Sequence, residues 1–104
     1  MKKTYNKLVR DKIPQIIEAS GKQCVTERLS EDAYIQALDE KLNEELAEYQ
    51  QSKSLEELAD LLEVMGAVVK ARGSTWEEVQ RIQKEKCAER GAFDQRILLK
   101  EVIE

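Results

Sequence analysis

Two carboxylate pairs, Glu45-Leu46-Ala47-Glu48 and Glu57-Leu58-Ala59-Asp60, lie on either side of a short polar break at Gln51-Ser52-Lys53-Ser54. Residues three apart share one face of a helix, so each pair presents both acids in the same direction. If the flanking helices fold back on each other about the middle of the break, Glu45 comes opposite Asp60 and Glu48 opposite Glu57. Four carboxylates then converge. Such groups repel one another and resist burial unless a cation neutralises them, and clustered hard oxygen ligands suit Mg²⁺ or Mn²⁺. The chain has no histidine, which removes Ser/His and Cys/His nucleophiles and the usual zinc ligands. Its chemistry must run on carboxylates, lysine, arginine, hydroxyls or a bound metal.

The elements that would hold these acids are helical. Leu, Glu, Lys and Ala dominate, with one proline and four glycines, a balance that favours helix over sheet. Pro14 fits the first turn of a short helix beginning near Asp11 and running to about Ala19, with Gly21 as its stop. Lys22 to Leu29 reads as extended or loop, with Val25 and Leu29 facing inward. Ser30 caps a second helix with Glu31 and Asp32 in its first turn, reaching about Gln51. Ser54-Leu55-Glu56-Glu57 is a capping box that opens a third helix to about Arg72. Thr75-Trp76-Glu77-Glu78 is another, opening a fourth to about Arg90. Phe93 to Ile103 is a tail expected to pack on the bundle or on a neighbouring copy. No repeat or linker divides residues 1–104, so the prediction is a single all-α domain: a small helical bundle with an antiparallel central hairpin, completed by oligomerisation.

Steps of about 100° around each helix decide which acids face the interior. In the second helix Tyr34, Ile35, Leu38, Leu42, Leu46 and Tyr49 form an apolar stripe; Glu45 falls inside it and Glu48 at its edge beside Lys41. In the third, Leu58, Leu61, Leu62, Val64, Met65, Val68 and Val69 form a broad stripe, with Glu57 between Val64 and Val68 and Asp60 at the margin. Glu44, Glu56 and Glu63 point away. An acidic helical chain produces ExxE spacings by chance, and either pair alone would read as solvated surface charge. Two pairs in register, both entering apolar faces, call for neutralisation, because an unpaired buried charge costs several kcal/mol, roughly. The breadth of the third stripe implies cover on more than one side, hence a homodimer or homotetramer.

A net charge of −4, with no basic run interleaved with aromatics, argues against nucleic acid as a partner. The longest apolar run is short and broken by charge, so no membrane role is expected. Cys24 and Cys87 show no ligand spacing, and the chain opens with no apolar signal region, which reads as a reduced, cytoplasmic protein with inert thiols. Lys7, Arg10 and Lys12 near the start, and Lys84, Lys86, Arg90 and Arg96 near the end, could reach phosphate oxygens, although solvated surface is the ordinary role of such residues. Trp76 is expected to staple its helix start to the core.

The combination of Lys41-Leu42, the ExxE at Glu45 and Glu48, and the ExxD at Glu57 and Asp60 resembles the all-α nucleoside triphosphate pyrophosphohydrolases of the MazG and phosphoribosyl-ATP pyrophosphatase superfamily. The similarity covers nearly the whole chain. The opening Tyr5-Asn6-Lys7-Leu8-Val9-Arg10-Asp11-Lys12-Ile13-Pro14 and the late Arg90-Gly91-Ala92-Phe93 resemble its phosphoribosyl-ATP pyrophosphohydrolase-like branch. The resemblance implies Mg²⁺-dependent cleavage of a nucleotide between the α and β phosphates, with Mn²⁺ as an alternative ion. It implies Glu45, Glu48, Glu57 and Asp60 as metal ligands and Glu45 or Glu48 as the carboxylate acting on the attacking water; the basic residues Lys7, Arg10, Lys41, Lys86 and Arg90 are the candidate phosphate contacts beside them. The competing expectation is a non-catalytic helical oligomer that binds nucleotide, metal or a protein partner.

Overall fold

The computed structural model describes residues 2–104. Among them it contains four α-helices and no strand: α1 (Ile13–Ala19), α2 (Glu31–Ser52), α3 (Leu55–Ala71) and α4 (Trp76–Arg90). The chain is an elongated helical bundle of 63 × 31 × 24 Å. Its main packing is the hairpin of α2 against α3, with a smaller contact between α3 and α4. Among the described residues no helix is long and apolar enough to cross a membrane.

Each helix start follows from its cap. Ser30 accepts from the Ala33 backbone N–H, Ser54 from Glu57 and Thr75 from Glu78, so each satisfies a donor that the first helical turn would leave unpaired. Pro14 occupies the first turn of α1, where its missing N–H costs nothing. The ends obey the same logic: Gly73 and Gly91 take φ of 81° and 85° just past α3 and α4, a region most L-residues avoid. Between α2 and α3 the reversal is tighter than the four-residue polar break suggested. The second helix continues through Ser52, and Lys53 alone turns the chain, at φ 58° with its N–H bonded to the Tyr49 carbonyl at 2.7 Å.

The capping box expected at Ser54 is only half made. Glu57 does not return a hydrogen bond to the Ser54 N–H, which is bonded instead to Ser52 Oγ at 3.3 Å. Ser52 therefore does the work a box would assign to the glutamate, and the Glu57 carboxylate is left free to face α2.

One expectation about packing is corrected and another is narrowed to its second alternative, a neighbouring copy. Val25 is 101% exposed and Leu29 is also exposed, so the loop from Lys22 to Leu29 does not turn them inward. Phe93, Ile97, Leu98, Leu99, Val102 and Ile103 all lie exposed, so the tail does not pack on this chain's bundle. The reason is geometric: a hairpin with one further short contact has too few layers to enclose a core. Leu38, at 3% exposure, is the one apolar side chain classed as buried among the described residues, whereas Leu46, Leu58, Leu62 and Met65 from the predicted stripes remain exposed.

Leu38→Ala should therefore lower the unfolding free energy by about 2–5 kcal/mol, while Val25→Ser should change it by no more than about 0.5 kcal/mol. Urea denaturation of both variants checks the contrast, and equal losses would show that the packed seam is elsewhere.

Candidate functional site

The α2–α3 hairpin brings Glu45, Glu57 and Asp60 together: one carboxylate oxygen from each lies within 4.8 Å of the others. Glu45 is the anchor. It is 7% exposed, and in a seam otherwise made of apolar side chains it is the buried charged residue among those described. One of its oxygens faces the Lys41 ammonium at 3.4 Å. The other, Oε2, has no hydrogen-bond partner, and neither has Oε2 of Glu57. Two orphaned carboxylate oxygens in one seam are unusual, since buried polar atoms are nearly always paired.

The electrostatics match this crowding. Burial, then the neighbouring Glu48 charge, pushes the Glu45 carboxyl above the ordinary glutamate range, with Lys41 opposing and Asp60 adding to the rise. Glu57 is raised for the same reasons, desolvation first and then Glu48, Asp60 and Glu45. Glu48 thus acts on Glu57 first by direct side-chain contact and then by charge, and on Glu45 by charge, while lying on the exposed rim outside the trio of converging oxygens.

Three cations meet these acids. Arg10 Nη2 donates to Asp60 Oδ1 at 2.7 Å, a contact between residues fifty apart in sequence. Lys7 Nζ donates to Glu44 Oε1 at 2.9 Å, and Lys41 Nζ donates to Glu44 Oε2 at 3.1 Å. Lys7, Arg10 and Lys41 are thus brought to the acidic cluster or its border. Lys86 and Arg90 are not: both are exposed on the last turns of α4 and make no salt bridge among the described residues.

Glu44 corrects an expectation. Helix periodicity turns it to solvent, but it is partly buried and gripped by Lys7 and Lys41, and Lys7 foremost holds its carboxyl below the ordinary range. The signal available in the sequence was the Lys41–Glu44 and Lys41–Glu45 spacing, which puts one ammonium over both acids on a single helix. Glu56 and Glu63 are exposed as expected. Away from the site, Trp76 is partly buried and lines a shallow cavity of about 250 Å³ with Ala59, Leu62, Glu63 and Gly66. Cys24 points its thiol at the Pro14 carbonyl and Glu18, where desolvation first, then the acid, raises its pKa, which fits an unreactive thiol.

A hard divalent ion fits this donor set. Magnesium takes oxygen ligands at about 2.0–2.1 Å in an octahedron, which sets neighbouring ligands about 3 Å apart, so oxygens within 4.8 Å of one another would have to draw closer to share one ion, and the orphaned Glu45 Oε2 has a lone pair that nothing else uses. Glu45, Glu57 and Asp60 could hold it, with Glu48 on the open side.

No protein-family model matches the chain, and no solved structure matches it. A stretch of 41 residues is 58% identical to an uncharacterized protein of Mycolicibacterium smegmatis (strain ATCC 700084 / mc(2)155). That match covers 39% of this chain and 42% of the other, so the chain spans less than half the length of the relative.

The shifted carboxyls give stability a signed pH dependence. Glu45 and Glu57 bind protons more tightly folded than unfolded, so their protonation favours the fold, whereas Glu44 and Glu78, held low by Lys7 and Arg81, lose stabilising pairs only below the ordinary carboxylate range. In metal-free buffer Tm should rise as pH falls from neutral towards that range and decline below it. Thermal melts followed by circular dichroism test this, and a Tm that falls steadily on acidification would count against a strained cluster.

Proposed function

We propose that this chain is a Mg²⁺-dependent nucleoside triphosphate pyrophosphohydrolase that cleaves between the α and β phosphates. The observation that carries this reading is the buried Glu45, with an unpartnered oxygen, converging on Glu57 and Asp60 beside a border of lysine and arginine. A cluster of anions bordered by cations suits a ligand that is itself a metal-bound polyanion.

In this mechanism Glu45, Glu57 and Asp60, joined by Glu48, would hold a divalent ion, which would supply charge neutralisation of the polyphosphate and polarisation of the α-phosphorus. The chain's own residues do the rest. Glu45 or Glu48 accepts the proton of the attacking water, whose oxygen bonds to the α-phosphorus as the α–β anhydride bond breaks. Pyrophosphate leaves, and the nucleoside monophosphate carries the new oxygen. Lys7, Arg10 and Lys41 lie close enough to the cluster to take phosphate oxygens, while Lys86 and Arg90 would need a second subunit to bring them there.

The exposed stripe of Leu46, Leu58, Leu62 and Met65 supports a homodimer or homotetramer, because burying such a face is the main source of stability open to so small a bundle. The same surface favours the second reading, a helical oligomer that binds nucleotide, metal or a partner protein without turnover. Two free cysteines fit a reducing, cytoplasmic setting.

Incubation of the wild type with a panel of ordinary and modified nucleoside triphosphates and Mg²⁺ should release pyrophosphate, and Glu45→Ala or Asp60→Ala should bring release to background. Undiminished activity in both variants removes the assignment. If all the triphosphates stay intact while Mg²⁺ at a hundredfold excess over its Kd stabilises the fold by about 2.7 kcal/mol, the non-catalytic reading holds.

A further inference from the structure

The residues before α1 do more than contribute possible phosphate contacts. Asn6, Lys7 and Leu8 lie along α2 over a crevice bordered by Ala37, Glu40, Lys41 and Glu44. The segment is fixed there by charge, through Lys7 on Glu44 at 2.9 Å and Arg10 on Asp60 at 2.7 Å. It has no regular secondary structure between Lys2 and Arg10, and Asn6 takes a positive φ of 47°. Its hold on the hairpin therefore rests largely on two ion pairs, both on groups more than a third exposed on the cationic side. Pairs of that kind are weak and exchangeable.

Asp60 cannot serve two cations equally. Its Oδ1 accepts from Arg10, and one of its oxygens also belongs to the converging trio with Glu45 and Glu57. An ion bound at Oδ1 at about 2.1 Å, the atom that Arg10 already holds at 2.7 Å, would stand within about 5 Å of the guanidinium nitrogen, a separation at which a divalent ion and an arginine repel well above thermal energy in a half-dry site. Lys41 does not face the same choice. It sits one turn away on the same helix as Glu44 and Glu45 and can keep Glu44 when Glu45 is engaged elsewhere.

We propose that Arg10 is a displaceable internal counter-ion, a positioning residue that neutralises Asp60 in the metal-free protein and is expelled when a divalent ion enters the Glu45–Glu57–Asp60 cluster. The expelled guanidinium, still tethered by Lys7, stands at the mouth of the site with its five donors free for phosphate oxygens. Metal entry thereby prepares the phosphate contact, and the two cations occupy the site in sequence. This inference rests on the metal reading given above, since it needs the cluster to bind an ion.

The test is an Mg²⁺ titration of the ¹⁵N-labelled full chain, without nucleotide, that reads affinity and the heteronuclear NOE of the amides of residues 8–10 together. In the wild type the NOE should fall as Mg²⁺ saturates. Arg10→Gln, which removes the competitor, should bind Mg²⁺ about two- to five-fold more tightly, the range expected for loss of one exposed pair, and Arg10→Lys should restore affinity to near the wild-type value. If Mg²⁺ binds but the NOE does not change and Arg10→Gln binds no more tightly, Asp60 holds both cations on its two oxygens and the exchange is wrong while the metal site stands. If the wild type takes up no Mg²⁺, the metal site and the exchange fall together.

Discussion

Carboxylate crowding in the α2–α3 seam is the constraint to which the rest of this chain answers. Glu45 is buried where its helix should carry an apolar residue, Glu57 joins it from the opposite helix, and each keeps an oxygen without a partner. A seam of this kind sacrifices stability, since burial first and then the nearby Glu48 raise the pKa of both carboxyls, and the charged forms work against the packing around them. Local features of the hairpin sharpen the arrangement when they could relieve it. The turn at Lys53 is as short as a single left-handed residue allows, and Ser52 takes over the capping role that would have drawn Glu57 back to its own helix start. Such local conflicts, maintained by the surrounding fold, are characteristic of sites under functional rather than structural demand.

The cations around the seam divide into two kinds. Lys41 is fixed by helical geometry and compensates Glu44 and Glu45 from one turn away, whatever else happens in the site. Lys7 and Arg10 come from an irregular segment and reach across long stretches of chain, so their contacts depend on the tertiary arrangement and can be traded. A permanent partner keeps the buried glutamate tolerable. Movable partners allow the same acids to be handed to a different cation.

The apolar surface is the second consequence of so slight a bundle. With Leu38 alone buried among the described apolar side chains, the hairpin leaves Leu46, Leu58, Leu62 and Met65 in contact with water. The tail adds a further apolar run from Ile97 to Ile103. Surfaces of this extent are costly to leave open, and each of the two functional readings covers them by association. The acidic seam and the open stripes occupy the same two helices, which couples any assembly to the geometry of the site.

Much of this was legible in the residues themselves. The caps at Ser30, Ser54 and Thr75, the stops at Gly73 and Gly91 and the 3.6-residue periodicity fixed all four helices to within a residue or two, because these are local interactions of near neighbours. The same periodicity located Glu45 inside an apolar face, and the spacing of the two acidic pairs placed Asp60 opposite Glu45 and Glu57 opposite Glu48, whereas the structure groups Glu57 with Glu45 and Asp60 and leaves Glu48 at the rim. What local pattern could not supply was everything that depends on distant chain segments meeting. The pairing of Arg10 with Asp60 and of Lys7 with Glu44, and the exposure of Val25 and the tail, were decided only by tertiary structure. The physical reason is that helix periodicity specifies the direction a side chain takes from its own axis, while burial and charge pairing are set by which other segment occupies the space in that direction.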